Sequence, residues 1–242
     1  MIKAIIFDFN GVIADDETPH VTCFQQALAE AGLSLKKDEY YGAYLGMDER
    51  TCASMLLTAR DGFCDAQLLS HITRRKADLF RAYTTLHKPE LFPGVVELVR
   101  GLRGNYRLAI ASGGRREQIS AALEHSPIER DFDVIVSAED CPTGKPEPAI
   151  YRLTCEQLNK GRGEIQSIDP KECLVVEDSL AGIRAGKAAG MWVLAVATTY
   201  PVDKLNEADD VVVSLKDISF DDVIARIGQI SQGSRFARTQ PE

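Results

Sequence analysis

The sequence has few of the features that mark secreted, membrane-spanning or redox proteins. None of its six cysteines belongs to a Cys-x-x-Cys pair, and no apolar run approaches the roughly 20 residues of a membrane span. Near the N-terminus a short apolar run is interrupted by Asp8, so we expect no secretory signal. We therefore expect reduced, scattered cysteines, no membrane partner and a cytoplasmic location.

Positive charge is also in the minority. The 242 residues include 28 Lys and Arg against 36 Asp and Glu, which gives a net charge of −8. A nucleic-acid partner is therefore not expected, and a small anionic substrate would need local positive charge or a metal to attract it. Hydrophobic residues make up 45% and charged residues 26%, as in ordinary globular proteins. We expect a monomer.

Short apolar runs alternate with helical patterns through the second half of the chain. The predicted strands are Ala4–Phe9, Leu108–Ala111, Val134–Val136, Leu174–Val176, Val193–Val196 and Val211–Val213. The predicted helices are Val95–Arg103, Arg116–His125, Glu147–Leu158 and Leu180–Ala189. Strands that alternate with helices indicate βαβ units, and hence an α/β fold with a doubly wound parallel sheet.

Residues 14–91 break this alternation. Their apolar residues fall on helical faces, no convincing strand is visible, and Pro89 with Pro93-Gly94 marks the return to the core pattern. An all-helical insert on two linkers would be placed to act as a lid. The predicted organisation is an α/β core of residues 1–13 and 92–230, a helical cap of residues 14–91, and a mobile polar tail of residues 231–242.

An aspartate ends the first predicted strand. The apolar run that starts at Ala4 is typical of a buried parallel strand, and an ionised carboxylate inside such a run is too costly unless it sits at the strand's end. Asp8 is therefore expected at the edge where open α/β sheets bind ligands. Gly11 would let the chain turn sharply beside it. Taken alone, such an aspartate is more commonly a turn or helix cap than a nucleophile.

Three further features follow predicted strands or precede helices. Ser112 and Gly113 follow one strand, Lys145 precedes a helix, and Glu177-Asp178 ends another strand. Each has an ordinary interpretation, as a helix cap or as a solvated lysine. Their joint occurrence at one edge of the sheet, together with Asp8, is what favours a site for phosphate and magnesium.

The chemistry of these residues fits phosphoryl transfer, which needs positioning and charge neutralisation. Asp8 could attack phosphorus to form an aspartyl-phosphate, and Mg²⁺ prefers oxygen ligands such as Asp8, Asp178 and one backbone carbonyl. The Ser112 hydroxyl and the N–H groups around Gly113 could hold phosphate oxygens. Lys145 would place a positive charge on the transferring group.

These motifs resemble those of the haloacid dehalogenase (HAD) superfamily, in the β-phosphoglucomutase-like and phosphoglycolate-phosphatase-like group that has a helical cap. Asp8-Phe9-Asn10-Gly11-Val12 stands at the first motif, D-x-D-G-x, Ser112 at the second and Lys145 at the third. Glu177-Asp178-Ser179 with Gly182-Ile183 stands at the fourth. The resemblance runs from about Ile2 to Leu215 and implies a Rossmann-like core, Mg²⁺ and a small phosphorylated substrate.

Position 10 departs from the family pattern. In family phosphatases the second aspartate protonates the leaving oxygen and later activates water, which Asn10 cannot do. The family's metal contact here is a backbone carbonyl, so Asn10 is still expected to bind Mg²⁺ beside Asp8, Asp178 and Glu177. General acid–base catalysis contributes about 10²–10⁴-fold. An engineered substitution, a naturally slow enzyme with another proton carrier, or a binding protein without turnover would each explain Asn10.

Three residues of the insert are candidates for cap closure and substrate contact. His20 resembles the family's linker histidine, although a purely structural role at the start of a helix is equally open. Gly46 resembles the glycine of the substrate-specificity loop. Mutases carry a basic residue before this glycine and an arginine three positions after it, whereas here Leu45 and Glu49 stand at those places and Arg50 follows. This difference weakens a mutase that recycles a bisphosphate.

The sequence is interpreted as that of a magnesium-dependent phosphatase acting on a small phosphorylated metabolite, a sugar phosphate being the first candidate. A phosphomutase of the β-phosphoglucomutase type is the alternative within the same class. A catalytically silent homologue that only binds a phosphorylated ligand is the alternative outside it. The substrate itself depends on the geometry of the cap loops, which the sequence does not give.

Overall fold

A computed structural model describes residues 1–44, 47, 49–160, 167–216 and 218–236, with side chains up to residue 229. The strands are β1 (Ala4–Phe7), β2 (Ala14–Asp15), β3 (Glu90–Leu91), β4 (Arg107–Ala111), β5 (Val134–Val136), β6 (Cys173–Glu177), β7 (Trp192–Val196) and β8 (Asp210–Val212). The helices are α1 (Glu17–Glu30), α2 (Lys37–Ala43), α3 (Glu49–Asp61), α4 (Ala66–Leu86), α5 (Val95–Leu102), α6 (Arg116–Leu123), α7 (Ala149–Asn159), α8 (Leu180–Ala188) and α9 (Phe220–Phe236).

A parallel sheet with the strand order β5-β4-β1-β6-β7-β8 forms the centre of the described chain. The first strand lies between β4 and β6, with Ala4 opposite Arg107 on one side and Cys173 on the other. The chain therefore builds the sheet outward from β1 in both directions. Open α/β sheets bind ligands beyond the carboxyl ends of the strands at such a reversal of strand order. The predicted α/β class and doubly wound sheet are confirmed.

Helices cover both faces of the sheet because its strands are apolar on both sides. On β1, Ile5 and Phe7 belong to one hydrophobic cluster, and Ala4 and Ile6 belong to the other. The four predicted core helices are present as α5 to α8, and their ends differ from the predicted ones by no more than two residues. Among the described helices, none is both long and apolar enough to cross a membrane.

The helices α1 to α4 follow β2 and precede β3, and they pack around a hydrophobic cluster of their own. The expectation that this segment contains no strand is wrong at its two ends. Ala14 and Asp15 pair antiparallel with Leu91 and Glu90. Strands of two residues are too short to show the alternation by which strands are predicted. The pairing ties the two linkers of the helical insert together.

The last helix, α9, extends into the segment that the sequence predicts to be a mobile polar tail. It runs to Phe236, five residues beyond Ser231, the first residue of the predicted polar tail. Its early residues Phe220, Val223 and Ile227 are buried against the core. Once the first turns are packed, each further residue adds a backbone hydrogen bond, so a helix can continue through a polar sequence. Residues 237–242 lie outside the described residues.

Candidate active site

The strand ends bring the predicted core residues to one edge of the sheet. Asp8 follows β1, and its backbone N–H donates to the carbonyl of Val176 in β6 at 2.9 Å. Ser112 follows β4, and its N–H donates to the carbonyl of Val136 in β5 at 3.0 Å. Asp178 follows β6. The backbone N–H groups of Asp8 and Ser112 therefore continue the hydrogen bonding of the sheet, whereas the N–H of Asp178 donates to the Glu177 carboxylate at 3.0 Å.

A buried lysine connects two of the carboxylates. Lys145 is 2% exposed, and its Nζ donates to Asp8 Oδ1 at 2.8 Å and to Glu177 Oε1 at 2.5 Å. Burial alone would lower the pKa of this lysine, but the two carboxylates outweigh burial and raise it. Lys145 is therefore a fixed positive charge beside Asp8. We call Asp8, Lys145, Glu177 and Asp178 the core cluster.

The carboxylate of Glu177 is saturated by protein donors. Its Oε1 accepts from Lys145 and from the Tyr151 hydroxyl at 2.6 Å. Its Oε2 accepts from the backbone N–H groups of Asp178 and Ser179, both at 3.0 Å, and from the Ser179 hydroxyl at 2.9 Å. One role of Glu177 in this geometry is to position Lys145. Its predicted contact with Mg²⁺ stays a prediction.

The backbone of α8 approaches this carboxylate very closely. A Cβ atom on Gly182 would lie 1.7 Å from Glu177 Oε1, which is shorter than any non-bonded contact. The N–H of Gly182 also donates to the Ser179 hydroxyl at 3.0 Å, which caps the helix. Glycine at this position lets the helix start directly against the Glu177 side chain.

The oxygen atoms of Asp8, Glu177 and Asp178 are close enough for one metal ion. One ligand atom from each lies within 4.8 Å of the others, and all three residues are buried. Burial, with the Glu177 carboxylate, raises the pKa of Asp8 to about 7 although Lys145 opposes it. Burial and the other two carboxylates also raise the pKa of Asp178. A divalent cation would reverse both shifts, and an all-oxygen site suits Mg²⁺.

Gly11 leaves the space in which the Asp178 carboxylate lies. Gly11 has φ +79°, and a Cβ atom there would lie 2.0 Å from Asp178 Oδ2. The Thr199 hydroxyl donates to the same oxygen at 2.5 Å. The Thr199 contact therefore fixes the orientation of the Asp178 carboxylate.

The side chain of Asn10 is turned toward the linker. Its Nδ2 donates to both carboxylate oxygens of Asp16, at 2.8 and 2.9 Å. Its Oδ1 accepts from the Ser112 hydroxyl at 3.4 Å, and this hydroxyl accepts from the Gly114 N–H at 3.0 Å. An amide can face the buried Asp16 as a donor, whereas an ionised carboxylate at position 10 would meet a like charge.

A second buried lysine lies in the helical insert. Lys76 of α4 is 2% exposed, and its Nζ contacts His20 Nδ1 and Glu49. The other ring nitrogen of His20 lies 3.2 Å from Asn10 Nδ2 and 3.4 Å from Asp16 Oδ2. His20 therefore contacts both Lys76 of the insert and the side chain at position 10, and its role in cap closure stays a prediction.

One cavity joins the two lysine sites. Its core side includes Asp8, Lys145, Gly113 and Asp178, and its cap side includes Glu17, His20, Glu49 and Lys76. We call these four cap residues the cap cluster. The cavity is thus lined by charged side chains from both the core and the helical insert, as ligand sites between two parts of a protein commonly are.

The sequence interpretation missed Lys76, Glu17 and Asp16 as site residues. Lys76 stands in a helical stripe with Ile72 and Phe80, and a lysine on an otherwise buried face is a usable signal because unpaired lysines are seldom buried. Glu17 and Asp16 carried no comparable signal.

Gly46 and Arg50 are the other two predicted cap residues. Gly46 lies outside the described residues. Arg50 is exposed near the start of α3, next to Glu49, whose side chain does reach the cavity.

Comparisons with known proteins agree with this geometry. The family model of the haloacid dehalogenase-like hydrolases matches residues 2–190. A phosphorylated carbohydrates phosphatase from Thermotoga maritima is 28% identical over 191 residues, which are 78% of this chain and 82% of that protein. The β-phosphoglucomutase of Bacillus subtilis is 26% identical over 204 residues, 83% of this chain and 86% of that protein.

One of the similar solved structures contains a mutation of an aspartate to asparagine. It is an aspartate-to-asparagine mutant of CbbY from Rhodobacter sphaeroides in complex with xylulose 1,5-bisphosphate. It is 26% identical to this chain, has a TM-score of 0.76, and the match covers 90% of this chain and 97% of that one. The chain belongs to the haloacid dehalogenase-like hydrolases and is an enzyme of their phosphatase and phosphomutase type.

Proposed function

We propose that this protein is a magnesium-dependent phosphatase that hydrolyses a small phosphorylated metabolite, with a sugar phosphate as the first candidate. The observation that carries the proposal is the core cluster, where Lys145 lies 2.8 Å from Asp8 and Asp178 completes a group of oxygen ligands. The phosphatase from Thermotoga maritima, whose name specifies phosphorylated carbohydrates, supports the same substrate class.

In this proposal Asp8 is the nucleophile. Its carboxylate oxygen forms a bond to phosphorus while the bond from phosphorus to the ester oxygen breaks, and the departing oxygen takes up a proton. Water then cleaves the aspartyl-phosphate, which releases phosphate and regenerates Asp8. Lys145, Ser112 and the N–H groups at Gly113 bind the phosphoryl oxygens.

Asp8, Asp178 and the Asn10 carbonyl are the proposed Mg²⁺ ligands. When bound, Mg²⁺ supplies positive charge that offsets the charge developing on the phosphoryl group. Glu177 contributes by positioning Lys145, because both of its oxygens already accept hydrogen bonds. The helical insert is proposed to close over the substrate as a lid.

Asn10 limits the proton transfer in this mechanism, because an amide does not titrate. His20 is the first candidate for a substitute proton carrier, since its Nε2 lies 3.2 Å from Asn10 Nδ2 and the ring lines the cavity. The silent-homologue alternative follows from the same asparagine. The mutase alternative is supported by the relative from Bacillus subtilis and weakened by Glu49, which stands where the mutases carry an arginine.

The test is hydrolysis of p-nitrophenyl phosphate with and without Mg²⁺, with Asp8→Asn as the control. We expect slow, metal-dependent release of p-nitrophenol that Asp8→Asn abolishes. Beryllium fluoride with Mg²⁺ should bind in line with the Asp8 carboxylate. No turnover with intact fluoride binding would leave the silent homologue, and fluoride bound at another side chain would overturn the assignment of Asp8.

A second assay separates the phosphatase from the mutase. The protein is incubated with β-glucose 1-phosphate, and both free phosphate and glucose 6-phosphate are measured. We expect free phosphate in excess. Formation of glucose 6-phosphate as the main product would support the mutase instead.

A further inference from the structure

The fold brings together two cysteines that are well separated in the sequence. Cys155 lies within α7, and Cys173 is the first residue of β6. The Cys173 thiol donates to Cys155 Sγ at 3.8 Å, and both cysteines are free. The sequence predicts scattered cysteines because it contains no Cys-x-x-Cys pair. The contact arises instead from the packing of α7 on one face of the sheet, where both residues belong to the same hydrophobic cluster.

The two thiols have different environments although both are buried. Cys155 is 4% exposed and Cys173 is fully buried. The hydrogen bond that Cys155 accepts from Cys173 lowers the pKa of Cys155 although burial opposes it. The same hydrogen bond, together with burial, raises the pKa of Cys173. Since the thiolate is the reactive form of cysteine, Cys155 is the thiol of this pair that reacts first.

The cysteine pair joins two elements that also meet at the active site. Tyr151 precedes Cys155 by four residues, so the two side chains lie on the same face of α7. Its hydroxyl donates to Glu177 Oε1 at 2.6 Å. Glu177 is the last residue of β6, and Cys173 is the first. A covalent bond between the cysteines would therefore connect α7 to the strand on which the acceptor of Tyr151 stands.

A disulfide at this position would move α7 relative to β6. The sulfur atoms of a disulfide are about 2.05 Å apart, so the two thiols at 3.8 Å must approach by about 1.8 Å. Rotation of the two cysteine side chains supplies part of this movement. The remainder falls on α7, because a close-packed interior transmits strain. Tyr151 is fully buried, so its hydrogen bond to Glu177 changes when the helix moves.

We propose that Cys155 and Cys173 form a reversible disulfide when the protein meets a peroxide, and that this crosslink slows the enzyme by displacing Tyr151 from Glu177. The proposal goes beyond the proposed function, because the crosslink forms without a substrate. Tyr151 acts in it as a positioning residue. Its partner Glu177 also holds Lys145, so a displaced Tyr151 disturbs the cation beside the proposed nucleophile.

The reaction balances with hydrogen peroxide as the oxidant. The Cys155 thiolate attacks one peroxide oxygen and the O–O bond breaks. The departing hydroxide takes up the proton that Cys155 had released, which gives water and a sulfenic acid. The Cys173 sulfur then attacks the Cys155 sulfur, the S–O bond breaks, and the oxygen leaves as water with the Cys173 proton. The two thiols lose two electrons and the peroxide gains them, and a dithiol reverses the change.

The first test maps the crosslink in the unmodified protein. The protein is treated with hydrogen peroxide, free thiols are blocked by alkylation, and a tryptic digest is analysed by mass spectrometry. We expect residues 153–160 to be linked to residues 172–184, with the linked peptides lighter than their sum by two hydrogen atoms. Dithiothreitol should separate them. Oxidation of the half-buried Cys64 or Cys141 with the pair left reduced would overturn the proposal.

Two variants control this result. Cys155→Ser should abolish the crosslink. The double variant Cys64→Ser/Cys141→Ser removes the two half-buried thiols and should form the same crosslink as the parent protein. Loss of the crosslink in the double variant would contradict the assignment. Because the peptide map of the parent protein identifies both linked residues, the result does not depend on the folding of a variant.

The second test measures the effect on the enzyme. With p-nitrophenyl phosphate and Mg²⁺, we expect oxidation to lower kcat by about tenfold, as the loss of a hydrogen bond to a charged group does. Dithiothreitol should restore the rate, and Cys155→Ser should keep its own rate in the same peroxide. A fully crosslinked protein with an unchanged rate would overturn the coupling to the site.

A further variant tests whether Tyr151 transmits the effect. Tyr151→Phe removes only the hydroxyl that contacts Glu177. We expect its reduced form to be slower than the reduced parent, and oxidation to lower its kcat by no more than about twofold, because two changes that act through one contact are not additive. A tenfold loss on oxidation of Tyr151→Phe would show that the effect passes through another residue.

Failure of the proposed function gives a different result from failure of this inference. If no ester is hydrolysed, the proposed function fails while the peptide map still decides whether the crosslink forms. The coupling is then measured by calorimetric titration of beryllium fluoride with Mg²⁺ into the reduced and the oxidised protein. Weaker binding to the oxidised protein would support the coupling, and equal binding would overturn it.

Discussion

Each region of the molecule contains a buried lysine between acceptors, but the two are built differently. In the core, Lys145 contacts Asp8 and Glu177, and both carboxylates belong to strand ends that backbone hydrogen bonds fix. In the cap, Lys76 contacts His20 and Glu49 on two other helices. The core arrangement is thus determined by the sheet, whereas the cap arrangement depends on how three helices pack.

This difference suits two separate tasks. A reacting phosphoryl group needs charges that do not reorganise during the reaction. The cap residues of the cavity stand on helices outside the sheet, so a change there leaves the strand ends in place. The comparison predicts that damage to the core cluster affects the reaction itself, while damage to the cap cluster affects stability and the choice of substrate.

The largest expected effect separates the two lysines. Lys145→Met should lower kcat by about 10²–10³-fold, as loss of a preorganised transition-state donor does. It should also destabilise the fold by about 3–5 kcal/mol, because two buried carboxylates lose their cation. Lys76→Met should reduce stability less, since the Glu49 side chain is 18% exposed, and should mainly change KM. For each variant, steady-state kinetics give kcat and KM, and urea unfolding gives the free energy of unfolding. Equal losses of kcat would remove the distinction between the regions.

The next effect concerns the metal. Asp178→Asn should weaken Mg²⁺ binding by on the order of 10²-fold or more, because one anionic ligand is lost, and the fold should survive. Thr199→Val, which removes only the hydrogen bond to Asp178 Oδ2, is the control and should fall within the roughly 10–100-fold range of outer-shell contacts. Calorimetric Mg²⁺ titration gives both affinities. Unchanged affinity in Asp178→Asn would place the metal elsewhere.

A gain of activity is expected at position 10. Asn10→Asp should raise kcat by on the order of 10²-fold, because it restores a general acid–base. The new carboxyl would lie beside Asp16, and two such groups share a proton, so the rate should follow a bell-shaped pH profile. The exchange Asn10→Asp/Asp16→Asn should keep the gain and move the upper limb of the profile to lower pH. If Asn10→Asp changes nothing and the parent protein is already fast, His20 becomes the proton carrier to test.

The smallest effect distinguishes two acids of the cap cluster. Burial raises the pKa of Glu17. Ionised Glu17 therefore lowers the free energy of unfolding of the protein above pH 4.5, the ordinary pKa of glutamate. Glu17→Gln should therefore raise Tm at pH 7 by about 2–4 °C, the shift that 1 kcal/mol gives in a protein of this size. The gain should disappear below pH 4.5. Calorimetric scans between pH 4 and 8 provide the measurement.

Glu49→Gln should behave in the opposite way. Lys76 and His20 lower the pKa of Glu49 although burial opposes them, so its stabilising contribution is present above pH 4.5 and is lost as the pH falls through the lowered value. The variant should be less stable than the parent at pH 7 and similar to it in acid. The same sign for both variants would show that the two acids share one environment.

The core could be predicted from the sequence because each of its residues stands at the end of a strand or the start of a helix. Parallel strands place such positions together in any member of this fold class, so Asp8, Ser112 and Asp178 could be located without a structure. The cap cluster could not, because Glu17, His20 and Lys76 meet only through the packing angles of separate helices. The saturation of Glu177 by five donors is also a three-dimensional property, although its position was predicted.

The close packing of Gly182 against Glu177 constrains the site through a residue that has no functional group. Gly182 carries no side chain, yet one added methyl group there would overlap the Glu177 carboxylate. Displacing that carboxylate would release Lys145, and through it Asp8. A substitution that alters no charge and removes no functional group would thus be inherited as a catalytic defect. The first turn of α8 therefore controls the geometry of the site through the space that Gly182 leaves for Glu177.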